Sequence, residues 1–307
     1  MTGPLTSSDL PLANSAGLRF LVVDGNTQAT NDRLARDGRM TYGELYAGHL
    51  RDLTDQPEIH ILTPSEQGAA LPKGMRLEDA DGVFWTGSAL NFYDGGPEIE
   101  NQLALSKAVF DAGVPYLGLC WGLQIAAVAA GGTVRRNPQG REAILASGLH
   151  ATEAGRTHPL LSGRSGGWSA FAVHLDEVET LPPDCTVLAH NGTSAVQAAE
   201  IRHGKGVFWG VQYHPDLDCG TMAHICRRME PELVAEGTFV DSATTASAID
   251  ALEALHSAEL EDGWPTDPDH AEKAKILGLT RDTLDAGRRR LEITNWLRAQ
   301  VLPRKGQ

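Results

Sequence analysis

Cysteine is scarce: Cys120, Cys185, Cys219 and Cys226 are the only four in 307 residues, too few to knit a disulfide framework. Reduced thiols in a cytoplasm are the expected state, and one of them is then free to act as a nucleophile. Positive charge is also short, with 26 Lys and Arg against 40 Asp and Glu and a formal charge of -14. Phosphates are repelled by such a surface, so neither nucleic acid nor an anionic membrane is expected as a partner. No apolar run approaches the roughly 20 residues that span a bilayer. Residues 1–17 lack a basic stretch followed by an apolar core and do not read as a signal peptide. Their Ser, Pro and Gly without periodicity predict a disordered or loosely attached leader. No phosphate-cradling Gly-x-x-x-x-Gly-Lys occurs, so an ATP-dependent half-reaction is not expected here. Cys219 and Cys226 near His224 are too few ligands at zinc spacing, and no metal or other cofactor is expected.

What is present is an ordinary globular composition, 41% hydrophobic, with length for one large α/β domain and an appendage or for two modest domains. Arg19-Phe20-Leu21-Val22-Val23-Asp24 reads as a central parallel strand with its exit loop. Thr41 caps a helix through about Leu53, with Glu44 completing a capping box, and Ile59 to Leu62 is a second strand. Strand, helix, strand at this spacing builds a parallel sheet with helices on both faces. Asp81 to Trp85 continues the sheet, and a helix from Glu98 to about Ala112 ends at Gly113. From Ile144 to Ile201 short strands separated by Gly, Pro and Asn predict an antiparallel section beside the parallel one.

The chemistry concentrates at Val114 to Ala127. A short apolar strand passes to an amphipathic helix at one residue, Cys120, with Gly118 and Gly122 two positions either side. A chain turning that sharply needs glycines where a side chain would collide with the next element, the pattern of a nucleophile elbow. Free N–H groups and the positive end of the helix dipole at that point favour a thiolate. The plainer alternative is a buried structural cysteine. Far downstream, the strand Gly206 to Tyr213 is followed by His214 and, two residues on, Asp216. A cysteine nucleophile needs a base, and the base needs an orienting acceptor. A lone His after a strand is ordinarily a surface residue; its pairing with a Cys elbow reverses that preference.

Gly118-Leu119-Cys120-Trp121-Gly122-Leu123-Gln124 together with Gln212-Tyr213-His214-Pro215-Asp216 resembles the class I (triad-type) glutamine amidotransferase family, nearest its GMP-synthase-like branch. The resemblance runs from about Leu18 to Met229. It implies a flavodoxin-like α/β fold, a mainly parallel sheet with helices on both faces, over a catalytic domain at 18–236. The family usually has Glu where this chain has Asp216, one methylene shorter. Thr86-Gly87-Ser88 lies where the family has Ser-Gly-Gly, which implies backbone oxyanion donors at Gly87 and Ser88 beside the N–H of Trp121; on the residues alone it is a common turn. Phe171 to Asp176 resembles the segment lining the glutamine pocket, with Asp176 as partner for a ligand's α-ammonium; His174 reads equally as a surface residue. Gln124, one helical turn past Cys120, shares its side and is a candidate for the substrate's polar end.

The implied activity is cleavage of the γ-amide of glutamine through a cysteine thioester, releasing glutamate and passing ammonia to a separate ATP-dependent synthetase. A stand-alone γ-glutamyl amide hydrolase is the alternative. A catalytically degenerate regulatory subunit is the third reading, favoured only by Asp216. Beyond Asp218 the family pattern runs out. A helix from about Gly220 to Glu236 leads on to a helical extension, 237–307. Its last helix, about Thr280 to Leu302, sets Leu284, Leu291, Ile293 and Leu297 against Arg288-Arg289-Arg290, a triplet read as a solvated face. That apolar stripe is expected to pack on the catalytic domain or across a homo-oligomer interface.

Overall fold

The computed structural model describes residues 11–67 and 70–305. Strand β1 (Arg19–Val23) shows why the sheet is covered twice. Phe20 and Val22 pack with Phe84, Leu117 and Trp209 on one face, while Leu21 and Val23 pack with Val83, Tyr116 and Phe208 on the other. A strand apolar at nearly every position is satisfied only in a sheet buried on both sides. After it come β2 (Glu58–Leu62), β3 (Gly82–Trp85), β4 (Tyr116–Leu119), β5 (Thr133–Arg136) and β6 (Glu142–Ala151). Then follow β7 (Gly167–His174), β8 (Asp176–Thr180), β9 (Cys185–His190), β10 (Ala198–His203) and β11 (Gly206–Val211).

Nine of these form one sheet in the order β2-β1-β3-β4-β11-β10-β9-β6-β7. The first five run parallel, in the strand order of a flavodoxin-like, doubly wound sheet. The remaining four are joined by antiparallel pairings, the section that the short strands after Ile144 predict. β5 and β8 pair separately. β3, β4 and β11 are neighbours, so their carboxyl ends open at one place, where such sheets bind ligands.

Two elements in the first sixty residues differ from the sequence reading. Gln28–Arg36 is a helix capped by Thr27, with only Asn31 and Leu34 buried; so small an apolar face leaves no periodic stripe to read. At Tyr42–Leu53, Thr41 accepts from the Glu44 N–H at 3.2 Å, but the Glu44 carboxylate lies beside Arg51, so only half of the capping box forms. Residues 1–10 of the expected leader lie outside the described residues. Residues 11–17 are held rather than loose: the Leu12 N–H donates to Leu53 O at 2.9 Å, and the Gly17 N–H to Asp55 O at 3.1 Å.

The last helix is broken. It runs as Arg281–Leu284, Ala286–Arg289 and Leu291–Trp296 before a wider turn. Asp285, in an extended conformation, interrupts it and caps the next turn by accepting from the Arg288 N–H. The arginine triplet is not a solvated face: Arg289 is buried, its Nη1 donating to Thr283 O and Leu284 O, and Arg290 pairs with Asp52 at 2.9 Å. Ile293, Trp296, Leu297 and Val301 join the core on one face of the sheet, and Trp296 lies against Phe20 and Phe84.

A buried ion pair anchors this segment. Arg164 donates from Nε and Nη2 to the two oxygens of Glu292 at 2.8 and 2.9 Å, and the Tyr213 hydroxyl donates to Glu292 Oε1 at 2.8 Å. Glu292→Ala removes the closer of the two carboxylates on the buried Arg164, leaving Asp282 at 3.5 Å, and is expected to cost about 3 kcal/mol. Urea unfolding measures this; a loss below about 1 kcal/mol would show the pair to be dispensable.

Candidate active site

Cys120 leaves β4 with φ 52° and ψ -104°, a region that side-chain-bearing residues occupy at a cost of order 1–3 kcal/mol. Its N–H donates to Val211 O at 2.7 Å, and its carbonyl accepts from Leu123 and Gln124. The flanking glycines make the turn possible. A β-carbon on Gly118 would stand 2.6 Å from the Gly122 carbonyl carbon, and one on Gly122 would stand 2.9 Å from Trp85 O. Strand and helix therefore touch backbone to backbone, and Cys120 begins the helix Trp121–Ala129 at the carboxyl edge of the sheet.

His214 follows β11. Its N–H donates to Phe171 O at 2.7 Å, and its Nδ1–H to Asp216 Oδ1 at 3.0 Å. The shorter Asp216 side chain therefore reaches the ring. His49 Nε2–H donates to the Asp216 carbonyl at 2.9 Å, fixing the carboxylate's own backbone. Burial pulls the His214 pKa down, but the Asp216 charge and hydrogen bond together with Cys120 raise it to about 10. The imidazole thus holds its proton firmly, beside the thiol. Gly87 marks how close the two are: a β-carbon there would lie 3.0 Å from His214 Cε1 and 3.8 Å from Cys120 Cβ.

The Gly87-Ser88 loop leaves β3 over the same point. Here the two amides differ. The Gly87 N–H donates to the buried Tyr46 hydroxyl at 3.2 Å, so it is already engaged; the Ser88 and Trp121 N–H groups have no partner among the described residues. The Trp121 ring is fixed by its own bond to Gln102 at 2.8 Å and by stacking on Phe92.

The three residues expected to line a substrate pocket all border the cleft that holds Cys120, of about 280 Å³, but only one is free to act there. Gln124 Nε2 donates to Asp176 O and Gln212 Oε1, a structural duty. His174 is buried, not a surface residue: Nε2 meets Glu142 Oε2 at 2.9 Å, and Nδ1 meets Asp176 O at 3.0 Å. Asp176 is 4% exposed, and neither of its carboxylate oxygens has a hydrogen-bond partner. Burial pushes its pKa up to about 6, against the pull of Tyr93 and Arg141. Sequence reading missed Tyr46 and Glu142. Both act across long stretches of chain, and neither carries a local motif.

Residues 43–229 match the family model for glutamine amidotransferase class-I. The chain belongs to the class I glutamine amidotransferases. It is 32% identical over 289 residues to the gamma-glutamyl-L-1-hydroxyisopropylamide hydrolase of a Pseudomonas species, covering 93% of this chain and 94% of that one. It is 32% identical over 178 residues to the glutamine-hydrolyzing GMP synthase of Thermosynechococcus vestitus, covering 57% of this chain but only 30% of that longer one. A crystal structure of a glutamine amidotransferase from Thermotoga maritima shares the fold, with a TM-score of 0.56 at 16% identity over 90% of this chain and 98% of that one. Among the described residues, no helix of this amidotransferase is long and apolar enough to cross a membrane.

Proposed function

We propose that this chain hydrolyses γ-glutamyl amides by itself, through a thioester on Cys120. The observation that carries the reading is the meeting of Cys120, His214 and the unpaired Asp176 around one cleft. In the reaction the Cys120 sulfur attacks the γ-carbonyl carbon, and the N–H groups of Ser88 and Trp121 hold the oxygen as it becomes an oxyanion. His214 gives its proton to the leaving nitrogen, the C–N bond breaks, and the amine departs. The same imidazole then takes a proton from water, which attacks the thioester and releases glutamate. Asp216 keeps Nδ1 protonated and Nε2 turned to the chemistry. Asp176 receives the substrate's α-ammonium.

Similarity along nearly the whole length of the Pseudomonas hydrolase, extension included, favours a free-standing hydrolase. We place the catalytic domain at 18–236 and its helical extension at 237–307, in a cytoplasm that keeps Cys120 reduced. The GMP synthase relative supports a second reading, in which glutamine is the substrate and ammonia goes to a separate synthetase. The 3.0 Å Asp216 contact weighs against a degenerate regulatory role.

The test is steady-state hydrolysis of glutamine and several γ-glutamyl alkylamides by the purified chain, between pH 5 and pH 8. Turnover of the alkylamides without any partner protein is expected; turnover of glutamine alone would favour the second reading. The pH dependence carries a sign. A carboxyl group with its pKa raised to about 6 is neutral below that pH and cannot pair with an ammonium. Expected kcat/KM therefore falls about tenfold per unit as the pH drops below 6, and Asp176→Asn flattens that limb while weakening binding. A limb unchanged in Asp176→Asn would place the ammonium elsewhere.

A further inference from the structure

The loop that leaves β3 over Cys120 is pinned at nearly every polar atom. The Thr86 N–H donates to Val23 O at 3.0 Å, and Gly87 gives its N–H to Tyr46. Beyond Ser88, the Ala89 N–H donates to Asn26 Oδ1 at 3.3 Å and the Leu90 N–H to Ser88 Oγ at 3.2 Å. Asn26 is held in turn by Asp24, whose Oδ1 accepts from Asn26 Nδ2 at 3.2 Å. From Thr86 to Leu90, the Ser88 N–H alone has no partner among the described residues. Ser88 stands where the family has its second glycine, and its hydroxyl stiffens the loop by taking the Leu90 N–H.

One hydroxyl sets the direction of that free N–H. Thr86 Oγ1 donates to Gly87 O at 2.7 Å and accepts from the Gly25 N–H at 2.9 Å. A hydroxyl has one proton and two lone pairs, so both bonds are made at once. Thr86 is fully buried and does not line the cleft, whereas Gly87, Ser88, Cys120 and His214 do. The Gly87 carbonyl is therefore drawn into the protein. A trans peptide points its N–H opposite to its C=O, and no peptide bond among the described residues is cis. The Ser88 N–H consequently faces the cleft that holds Cys120.

We infer that Thr86 is a positioning residue for the hydrolysis. Its hydroxyl locks the Gly87–Ser88 peptide, so that the Ser88 N–H is the one oxyanion donor the loop supplies. This rests on the γ-glutamyl amide reading above. A donor aimed in advance stabilises the oxyanion without reorganising as the charge develops. Thr86 acts only through Ser88, and the substrate never touches it.

The experiment has a wild-type arm and a variant arm. Product glutamate carries a γ-carboxylate, one oxygen of which occupies the oxyanion position. Titrated into isotope-labelled wild type, it should move the Ser88 and Trp121 amide protons downfield in the NMR spectrum, with Gly87, Ala89 and Leu90 nearly still. That arm needs no variant to fold. Thr86→Val should lower kcat on the order of 100-fold with KM little changed, and Thr86→Ser should restore kcat to within about threefold. Stability falls in Thr86→Val on any view, since the buried Gly25 N–H loses its acceptor. The readouts that separate aim from packing are the kcat-against-KM split, the loss of the Ser88 shift in Thr86→Val and the rescue by serine. A Gly87 proton that moves in place of Ser88, or Thr86→Val with wild-type kcat, overturns the inference while γ-glutamyl amides are still cleaved. Wild type that neither binds glutamate nor cleaves a γ-glutamyl amide overturns the underlying reading as well.

Discussion

Cys120→Ala gives a folded protein whose γ-glutamyl amide hydrolysis falls on the order of 10,000- to 1,000,000-fold. Two facts set the size of the effect. The elbow holds the sulfur on a strained backbone, φ 52°, and the thiol lies against His214, whose raised pKa reflects it. In the proposed mechanism, removing the sulfur removes the bond-forming atom, and no other cysteine is placed to replace it. Cys185, Cys219 and Cys226 have pKa values pushed up to about 11 or 12, with burial as the largest cause in each, so they are poor nucleophiles. Stability should change little, because Cys120 contributes a small side chain beside an open cleft. Kinetics and a thermal melt on the same preparation check both halves.

His214→Ala should fall nearly as far as Cys120→Ala, and the two losses should not add, because each disables the same step. Asp216→Ala should cost less, by about one to two orders of magnitude relative to His214→Ala. The orienter sets a tautomer and supports a charge; the base moves the proton. Asp216 works at 3.0 Å from Nδ1 and is itself fixed through its carbonyl by His49. Its removal should also lower the His214 pKa, since the Asp216 charge is the leading cause that raises it. The pH profile of kcat in Asp216→Ala should therefore shift towards acid for the His214 ionisation. Wild-type turnover in Asp216→Ala would assign the orienting role to another group.

The elbow was legible because its cause is local. Gly118 and Gly122 are needed where two backbones touch, and that need is written within five residues of sequence. The His214 and Asp216 pair was legible because both stand at the mouth of one apolar strand. The parallel half of the sheet was legible from runs apolar at every position, and the antiparallel half from short strands set off by turn residues. What escaped depends on partners distant in sequence. Nothing near Gly87 says that Tyr46 takes its N–H, and nothing near His174 announces Glu142. The arginine triplet misled for a related reason. Arg289 turns back onto the carbonyls of Thr283 and Leu284, which a helical wheel drawn through an unbroken helix does not contain. Gln28–Arg36 escaped because a helix with two buried residues has too little apolar surface to show a period.

Peptide mass spectrometry of the enzyme quenched with acid during turnover of a γ-glutamyl amide tests the thioester most directly. A γ-glutamyl adduct is expected on the peptide holding Cys120, absent from Cys120→Ala and lost on treatment with hydroxylamine. A glutamine-like diazo-ketone should label the same sulfur. Adducts at Cys185, Cys219 or Cys226, or sustained turnover in Cys120→Ala, would contradict the assignment of Cys120 as nucleophile.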